Sequence, residues 1–149
     1  MSQLYQILRD DNDAVIFSTM ADSMREAVNQ AVLAGVSLAG ARFTGENLRG
    51  ISVAGGDFRG AVFDGALLDG ANFQGACLDE ISAVPAGDIA VSATGANFRN
   101  ASARKADVTG ATLDESDWTG ADLTDMTATD ASLEGTVATT SPLVEDAAA

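Results

Sequence analysis

Apolar and polar positions recur along this chain with a period of five, and the frame holds from Val36 to about Thr140. Written as pentads, the middle reads ARFTG, ENLRG, ISVAG, GDFRG, AVFDG, ALLDG and ANFQG, and later ANFRN, ADVTG, ATLDE, SDWTG, ADLTD and ASLEG. The third position is large and apolar: Leu38, Phe43, Leu48, Val53, Phe58, Phe63, Leu68, Phe73 and Leu78, then Phe98, Val108, Leu113, Trp118, Leu123 and Leu133. The first position is mostly Ala, with Val36, Ile51 and Ile81 as larger variants. The second, fourth and fifth positions are mostly polar or Gly. Each pentad thus turns one large and one small side chain inward. A fixed short period means one unit stacked many times.

A period of five is neither the 3.6 of a helix nor the 2.0 of a long strand. Gly at so many fifth positions also argues against helix, where each costs about 1 kcal/mol relative to Ala. It fits a chain that turns often and needs positive φ at the turns. The pattern therefore predicts short extended pieces joined by corners. Corners near a right angle close after four pentads, giving a square coil of roughly twenty residues stacked at the strand spacing of about 4.8 Å. On that count one inward column is Leu38, Phe58, Leu78, Phe98 and Trp118, and another is Val53, Phe73, Ala93, Leu113 and Leu133. Arg59, Asp79 and Arg99 form an outward ladder of alternating charge beside the first column.

The pentads resemble the pentapeptide-repeat family, whose consensus is A(D/N)LXX, across residues 36–140. The resemblance implies an all-β fold, a right-handed quadrilateral β-helix of about five coils. Some members of that family are thought to imitate duplex DNA in shape and charge and to bind DNA gyrase. Several dimerise end to end. This chain differs from the DNA-like members in its cleaner repeats and its added N-terminal segment.

Residues 1–35 lie outside the repeat. Leu4–Leu8 and Ala14–Ser18 are β-prone runs around Asp10, Asp11, Asn12 and Asp13, which reads as a hairpin. Ser23 to Glu26 has the form of a capping box, Met24, Ala27, Val28, Ala31 and Val32 share one helical face, and Gly35 stands where the helix should stop. Because a solenoid exposes its core at each end, hairpin and helix are expected to cap the first coil. A separate docking module is the other reading, and the two roles are compatible. Inside the repeat, residues 81–95 read ISAVP, AGDIA, VSATG. Asp88 at an inward position would cost several kcal/mol if unpaired. Pro85 lacks an N–H for a ladder. The stretch Val84–Ala90 is therefore expected to leave the regular path, with the coil resuming on the same faces. Val84, Pro85, Asp88 and Ile89 become candidate contacts. Residues 141–149 lose the pattern. Leu143 and Val144 either fold over the last coil or leave an end free for a homodimer.

Composition sets the chemistry aside. The formal charge of −14 and pI near 4.1 argue against direct binding to nucleic acid or an anionic membrane. The absence of histidine removes Ser-His-Asp and Cys-His catalysis and the commonest metal ligand. Cys77 is the sole cysteine, so neither an internal disulfide nor a structural zinc site can form. The repeated Gly-x-x-x-x-Gly spacing lacks the Lys-Ser/Thr of a phosphate loop. The interior is expected to be filled with side chains. No enzyme and no cofactor is expected, and with neither leader nor long apolar run a cytoplasmic location is the default. What remains is charge. After Lys105 there is no basic residue, while Asp107, Asp114, Glu115, Asp117, Asp122, Asp125, Asp130 and Glu134 follow in the repeats. These acids read either as a solubilising surface or as an interaction face for a protein partner. Such a partner would be of unknown identity, or a DNA-binding protein or topoisomerase if DNA is being imitated.

Overall fold

In the computed structural model, residues 2–139 are described, so the tail that carries Leu143 and Val144 lies outside the described residues. The repeat is held by a continuous inter-coil ladder. Third-position N–H groups donate to the second-position carbonyl of the next coil, as from Leu38 to Asp57 (2.8 Å) and Phe43 to Val62 (2.7 Å). Second-position N–H groups donate back, as from Val62 to Ala41 (2.8 Å). At each corner the first-position N–H reaches the preceding third-position carbonyl, as from Ala41 to Leu38 (3.1 Å), with the fifth position between them at positive φ. That is the arrangement of a type II turn, which favours Gly at its third residue. Outside the 84–90 irregularity, corners that lack Gly still keep φ near +60°, as at Glu80 (62°), Lys105 (60°) and Glu115 (60°).

Bridged residues stand twenty apart from Arg42–Val62 to Val62–Ser82, twenty-five apart from Leu67–Ser92 to Ser82–Asp107, and twenty apart again from Ser92–Thr112. The tube is four-sided, but one coil holds an extra pentad. Four walls result. Wall 1 stacks Leu38, Phe58, Leu78, Ala103 and Leu123; wall 2 stacks Phe43, Phe63, Ala83, Val108 and Ala128. Wall 3 stacks Leu48, Leu68, Ala93, Leu113 and Leu133; wall 4 stacks Val53, Phe73, Phe98, Trp118 and Ala138. The column running from Leu78 to Phe98 is thereby corrected. Phe98 lies over Phe73 with rings 5.4 Å apart and Trp118 over Phe98 at 4.0 Å, whereas Leu78 is followed by Ala103. The second expected column breaks at the same level, between Phe73 and Ala93. The coil does not resume on the same faces. Five added residues keep the pentad frame, so every later residue stands one wall away from where a count of twenty places it.

The extra pentad leaves the tube at the corner between walls 2 and 3. Ala86 and Ile89 exchange backbone hydrogen bonds (2.8 and 3.1 Å) around Gly87, whose φ is 60°. This is a two-residue hairpin with Gly first, as type II′ turns require. Asp88 is exposed at its tip. In the same coil the usual sizes are exchanged: Ile81 and Val91 fill first positions, and Ala83 and Ala93 fill third positions. The exchange is incomplete. An apolar void of about 20 Å³ remains beside Ala83 and Ala93, lined also by Phe63, Leu68 and Phe98, so the interior is not wholly filled.

Strand β1 (Gln3–Leu8) pairs antiparallel with β2 (Val15–Ala21), with a bulge between Ile7 and Leu8. Helix α1 (Met24–Leu33) follows. Ser23 Oγ accepts the Glu26 N–H (3.1 Å), and Glu26 Oε2 accepts the N–H of Asp22 (2.7 Å), one residue earlier than a standard capping box. At the other end Val36 N–H donates to Ala31 and Gly35 N–H to Val32, both at 3.0 Å, with Gly35 at φ 75°. This is a Schellman ending. Ile7, Val28 and Ala31 join the same buried cluster as Leu38 and Phe43. Arg42 N–H donates to Leu8 (2.8 Å) and Asp10 N–H to Gly40 (2.9 Å), fastening the hairpin to the first coil.

Candidate interaction surface

Outward side chains stand in rows set by the walls, and two hydrogen-bonding devices fix most of them. Where the second position is Asn or Asp, its side chain accepts the N–H two residues on, as in Asn72 to Gln74 (3.0 Å), Asn97 to Arg99 (3.0 Å) and Asp117 to Thr119 (2.9 Å). At the second-position serines Ser82, Ser92, Ser102 and Ser132, an Asp from the coil below supplies both bonds. Asp64 accepts Ser82 Oγ (2.6 Å) and the Val84 N–H (3.1 Å). Asp69, Asp79 and Asp114 repeat this with Ser92 and Thr94, Ser102 and Arg104, and Ser132 and Glu134. Many acids of this chain are therefore structural. The pentad pattern showed their outward position but not their partners.

The charge ladder is corrected in the same way as the columns. Asp79 pairs with Arg104 (3.1 Å), Arg99 with Asp117 on wall 4 (3.1 Å), and Arg59 with Asp57 (2.9 Å). The Arg59 hydrogen bond, opposed by burial and helped by the Ser37 hydroxyl, brings Asp57 down to about 2. Burial pushes Asp79 up, but the Ser102 hydroxyl, the Arg104 N–H and the Arg104 guanidinium outweigh it and leave it low. Thr119 lowers Asp117 and Thr124 lowers Asp122. Burial raises the Cys77 thiol and the Glu46 carboxyl. Glu46 occupies a first position, where the other pentads carry no acid, and the sequence reading passed over it.

The acids after Lys105 do not line one face. Asp107 lies on wall 2, Asp114 and Glu134 on wall 3, Asp117 on wall 4 and Asp122 on wall 1, while Glu115, Asp125 and Asp130 take positive-φ corners. Asp117 and Asp122 have arginines beside them, Arg99 at 3.1 Å and Arg104 at 4.0 Å. The cations are unevenly placed. From Ala61 onward Arg99 lies on wall 4, Arg104 on wall 1 and Lys105 at the corner of walls 1 and 2; walls 2 and 3 have their arginines earlier, Arg42 and Arg49, the latter paired with Asp69 at 3.3 Å. Of the loop residues, Pro85, Asp88 and Ile89 are exposed and Val84 is half-buried. Among the described residues no grouping of His, Cys, Asp and Glu could hold a metal ion, and no helix is long and apolar enough to cross a membrane.

A four-walled tube built from stacked pentads is a β-solenoid, and its surface is a set of ordered rows rather than a cleft. Family models described as pentapeptide repeats match residues 31–78, 90–117 and 109–139; the chain belongs to the pentapeptide-repeat family, and its fold is that family's right-handed quadrilateral β-helix. Similar solved structures include HetL, a protein involved in heterocyst differentiation regulation from the cyanobacterium Nostoc sp. strain PCC 7120. It is 28% identical over 67% of this chain and 39% of its own, with a TM-score of 0.35. A thylakoid-lumen pentapeptide repeat protein of Arabidopsis thaliana is 25% identical over 65% of this chain and 64% of its own, with a TM-score of 0.34. QnrB1, a plasmid-mediated fluoroquinolone resistance protein, is 17% identical over 64% of this chain and 55% of its own, with a TM-score of 0.37. This chain thus spans less than two-thirds of the length of each. No curated protein matches it.

Proposed function

We propose that this chain is a non-enzymatic protein-interaction module: a rigid rod that displays side chains in fixed rows to a protein partner, with the hairpin–helix unit of residues 1–35 as end cap and second contact. The observation that carries this is the ladder itself. Backbone bonds link each coil to the next, and Asp, Asn and Ser side chains lock the fourth-position N–H groups, so outward residues are held in register before any partner arrives. Pre-ordering of this kind lowers the entropic cost of binding. Affinity capture from native lysate tests the reading. Specific partners should be lost when residues 1–35 are deleted or the 84–90 loop is replaced. Retention of every partner by both variants would remove those contacts.

A second reading comes from the cation-free stretch after Lys105. There the acidic coils stand in for duplex DNA on a type II topoisomerase or another DNA-binding protein, through the electrostatics that draw such proteins to phosphates. The carboxylates are spread over four walls rather than along one continuous face, and Arg99 and Arg104 stand beside Asp117 and Asp122, which counts against this reading. A gyrase supercoiling assay with and without quinolone tests it. Inhibition or drug protection that fades with salt is the expected result, and neither effect at micromolar protein ends the idea.

A further inference from the structure

We infer that the corner between walls 2 and 3, centred on the 85–89 hairpin, is the partner-binding surface, and that its partner presents a basic groove with an apolar pocket. The inference deepens the interaction-module reading and rests on it.

The hairpin is built into the rod rather than hung from it. Ala86 sits so close to the corner below that a Cβ at Gly65 would stand 2.7 Å from its own Cβ, and Pro85 would stand 3.1 Å from a Cβ at Gly110 in the corner above. Glycine on both sides lets the loop lie flush against two coils. What the loop then offers outward is apolar. Ile89 is 60% exposed, next to exposed Pro85 and half-buried Val84. In the coil beneath, the outward second positions flanking Gly65 are Val62 and Leu67, where most pentads carry a polar residue. An apolar knob therefore rises from an apolar base at one corner of an otherwise polar tube.

The charge around the knob selects its occupant. Asp64, Asp107, Asp114 and Asp130 stand on walls 2 and 3 or their shared corner, and Asp88 stands on the hairpin itself. From Ala61 onward no Lys or Arg stands on either wall, although Arg49 of the preceding coil pairs with Asp69 on wall 3 and Lys105 occupies the corner of walls 1 and 2. With Arg99 on wall 4 and Arg104 on wall 1, the loop side is predominantly negative. A second copy of this chain presenting the same corner would be repelled, as would nucleic acid or an anionic bilayer. A Lys- and Arg-rimmed groove gains long-range attraction from the walls and buries Ile89 as its anchor.

The full chain, labelled with nitrogen-15, is titrated with a synthetic peptide alternating lysine and leucine and with a lysine-only peptide of equal length. Amide shifts should move at residues 62–67, 84–94 and 107–114 and stay still around Gln74 and Thr119 on wall 4. Affinity should fall about tenfold for the lysine-only peptide and for Ile89→Ser, a surface change that leaves the coil intact. Asp88→Asn should weaken the salt dependence. Shifts spread over all four walls, shifts gathered near Lys105, or affinity indifferent to Ile89→Ser would each overturn the assignment. If the titration fails but a specific partner is still captured through residues 1–35, the interaction module stands and this corner falls. If capture fails as well, both fall.

Discussion

At the scale of single residues, the polar positions of the repeat are as determined as the apolar ones. Trp118 is 1% exposed, and its indole needs a hydrogen-bond acceptor inside an apolar tube. Ser116, fully buried at a first position that Ala usually fills, accepts the Trp118 Nε1–H at 2.9 Å and donates onward to the Leu113 carbonyl at 2.6 Å. Ser116→Ala matches the consensus yet should destabilise the fold by about 1–3 kcal/mol, because it strands a buried donor. Urea unfolding followed by tryptophan fluorescence checks this, and an unchanged midpoint would refute it. The aspartates make a second case. The hydrogen bond from Arg59, helped by the Ser37 hydroxyl, holds the Asp57 carboxyl down to about 2, below the usual aspartate range. Its folded pKa is depressed, so its contribution is fully present above the unfolded value and is lost as pH falls through the folded one. Stability should therefore decline between about pH 4 and pH 2, and Asp57→Asn should flatten that decline while lowering stability at neutral pH. Thermal melts across this range read the difference. An identical acid profile in the variant would count against the Arg59 and Ser37 bonds.

At the scale of elements, the extra pentad explains both what the sequence made legible and what it hid. The five-residue frame, the inward residues, the turn around Asp10–Asp13 and the helix between Ser23 and Gly35 all follow from local chemistry that every coil repeats. Wall assignment does not, because all four walls obey one rule and an insertion of one pentad leaves that rule unbroken. Pro85 showed where the path must fail, since a fifth position needs positive φ that proline cannot adopt. A subtler signal lay in the Asp–Ser pairs. Their separation is 18 residues at Asp64–Ser82 and Asp114–Ser132, but 23 at Asp69–Ser92 and Asp79–Ser102. The longer spacing is the shift itself, written in polar residues. It was unreadable until the structure showed that those side chains meet. The candidate acids suffered most from the misassigned walls, because their value depends on which cations share their face. The shift also makes a prediction. Removing residues 85–89 together with Ala90→Gly restores a regular coil and leaves every later residue on its present wall. That variant should keep its β-rich circular dichroism and a single melting transition. Removing three residues instead breaks the pentad frame and should abolish cooperative unfolding. A frame-preserving deletion that unfolds the protein would show the hairpin to be part of the fold's foundation rather than an addition to it.

At the scale of the whole molecule, a rod assembled by nearest-neighbour stacking is vulnerable at its ends, where the next coil would have docked. The two ends differ. At the first coil, Ile7, Val28 and Ala31 extend the buried cluster past Leu38 and Phe43, and Leu8 and Asp10 take up backbone bonds from Arg42 and to Gly40. Apolar cross-section and ladder groups are covered together. At the last described coil, Leu133 is only partly buried and Val137 is 53% exposed, among pentads that carry acids and no cation. Among the described residues a folded unit covers the first coil, while the last described coil carries charge, a barrier only against a second acidic surface. An uncovered first coil would present Leu38, Phe43 and unpaired strand-like edges with far fewer carboxylates around them, which is the condition for edge-to-edge association. Deleting residues 1–35 should therefore yield a chain that retains the β-solenoid signature in circular dichroism but associates increasingly with concentration. Light scattering coupled to size exclusion would show its mass rising where the intact chain's does not. High salt should deepen the effect by screening what repulsion remains. If the truncated rod stays at the intact chain's association state across the same range and melts at the same temperature, the hairpin and helix are not guarding that end, and their place on the first coil must be explained by what they bind.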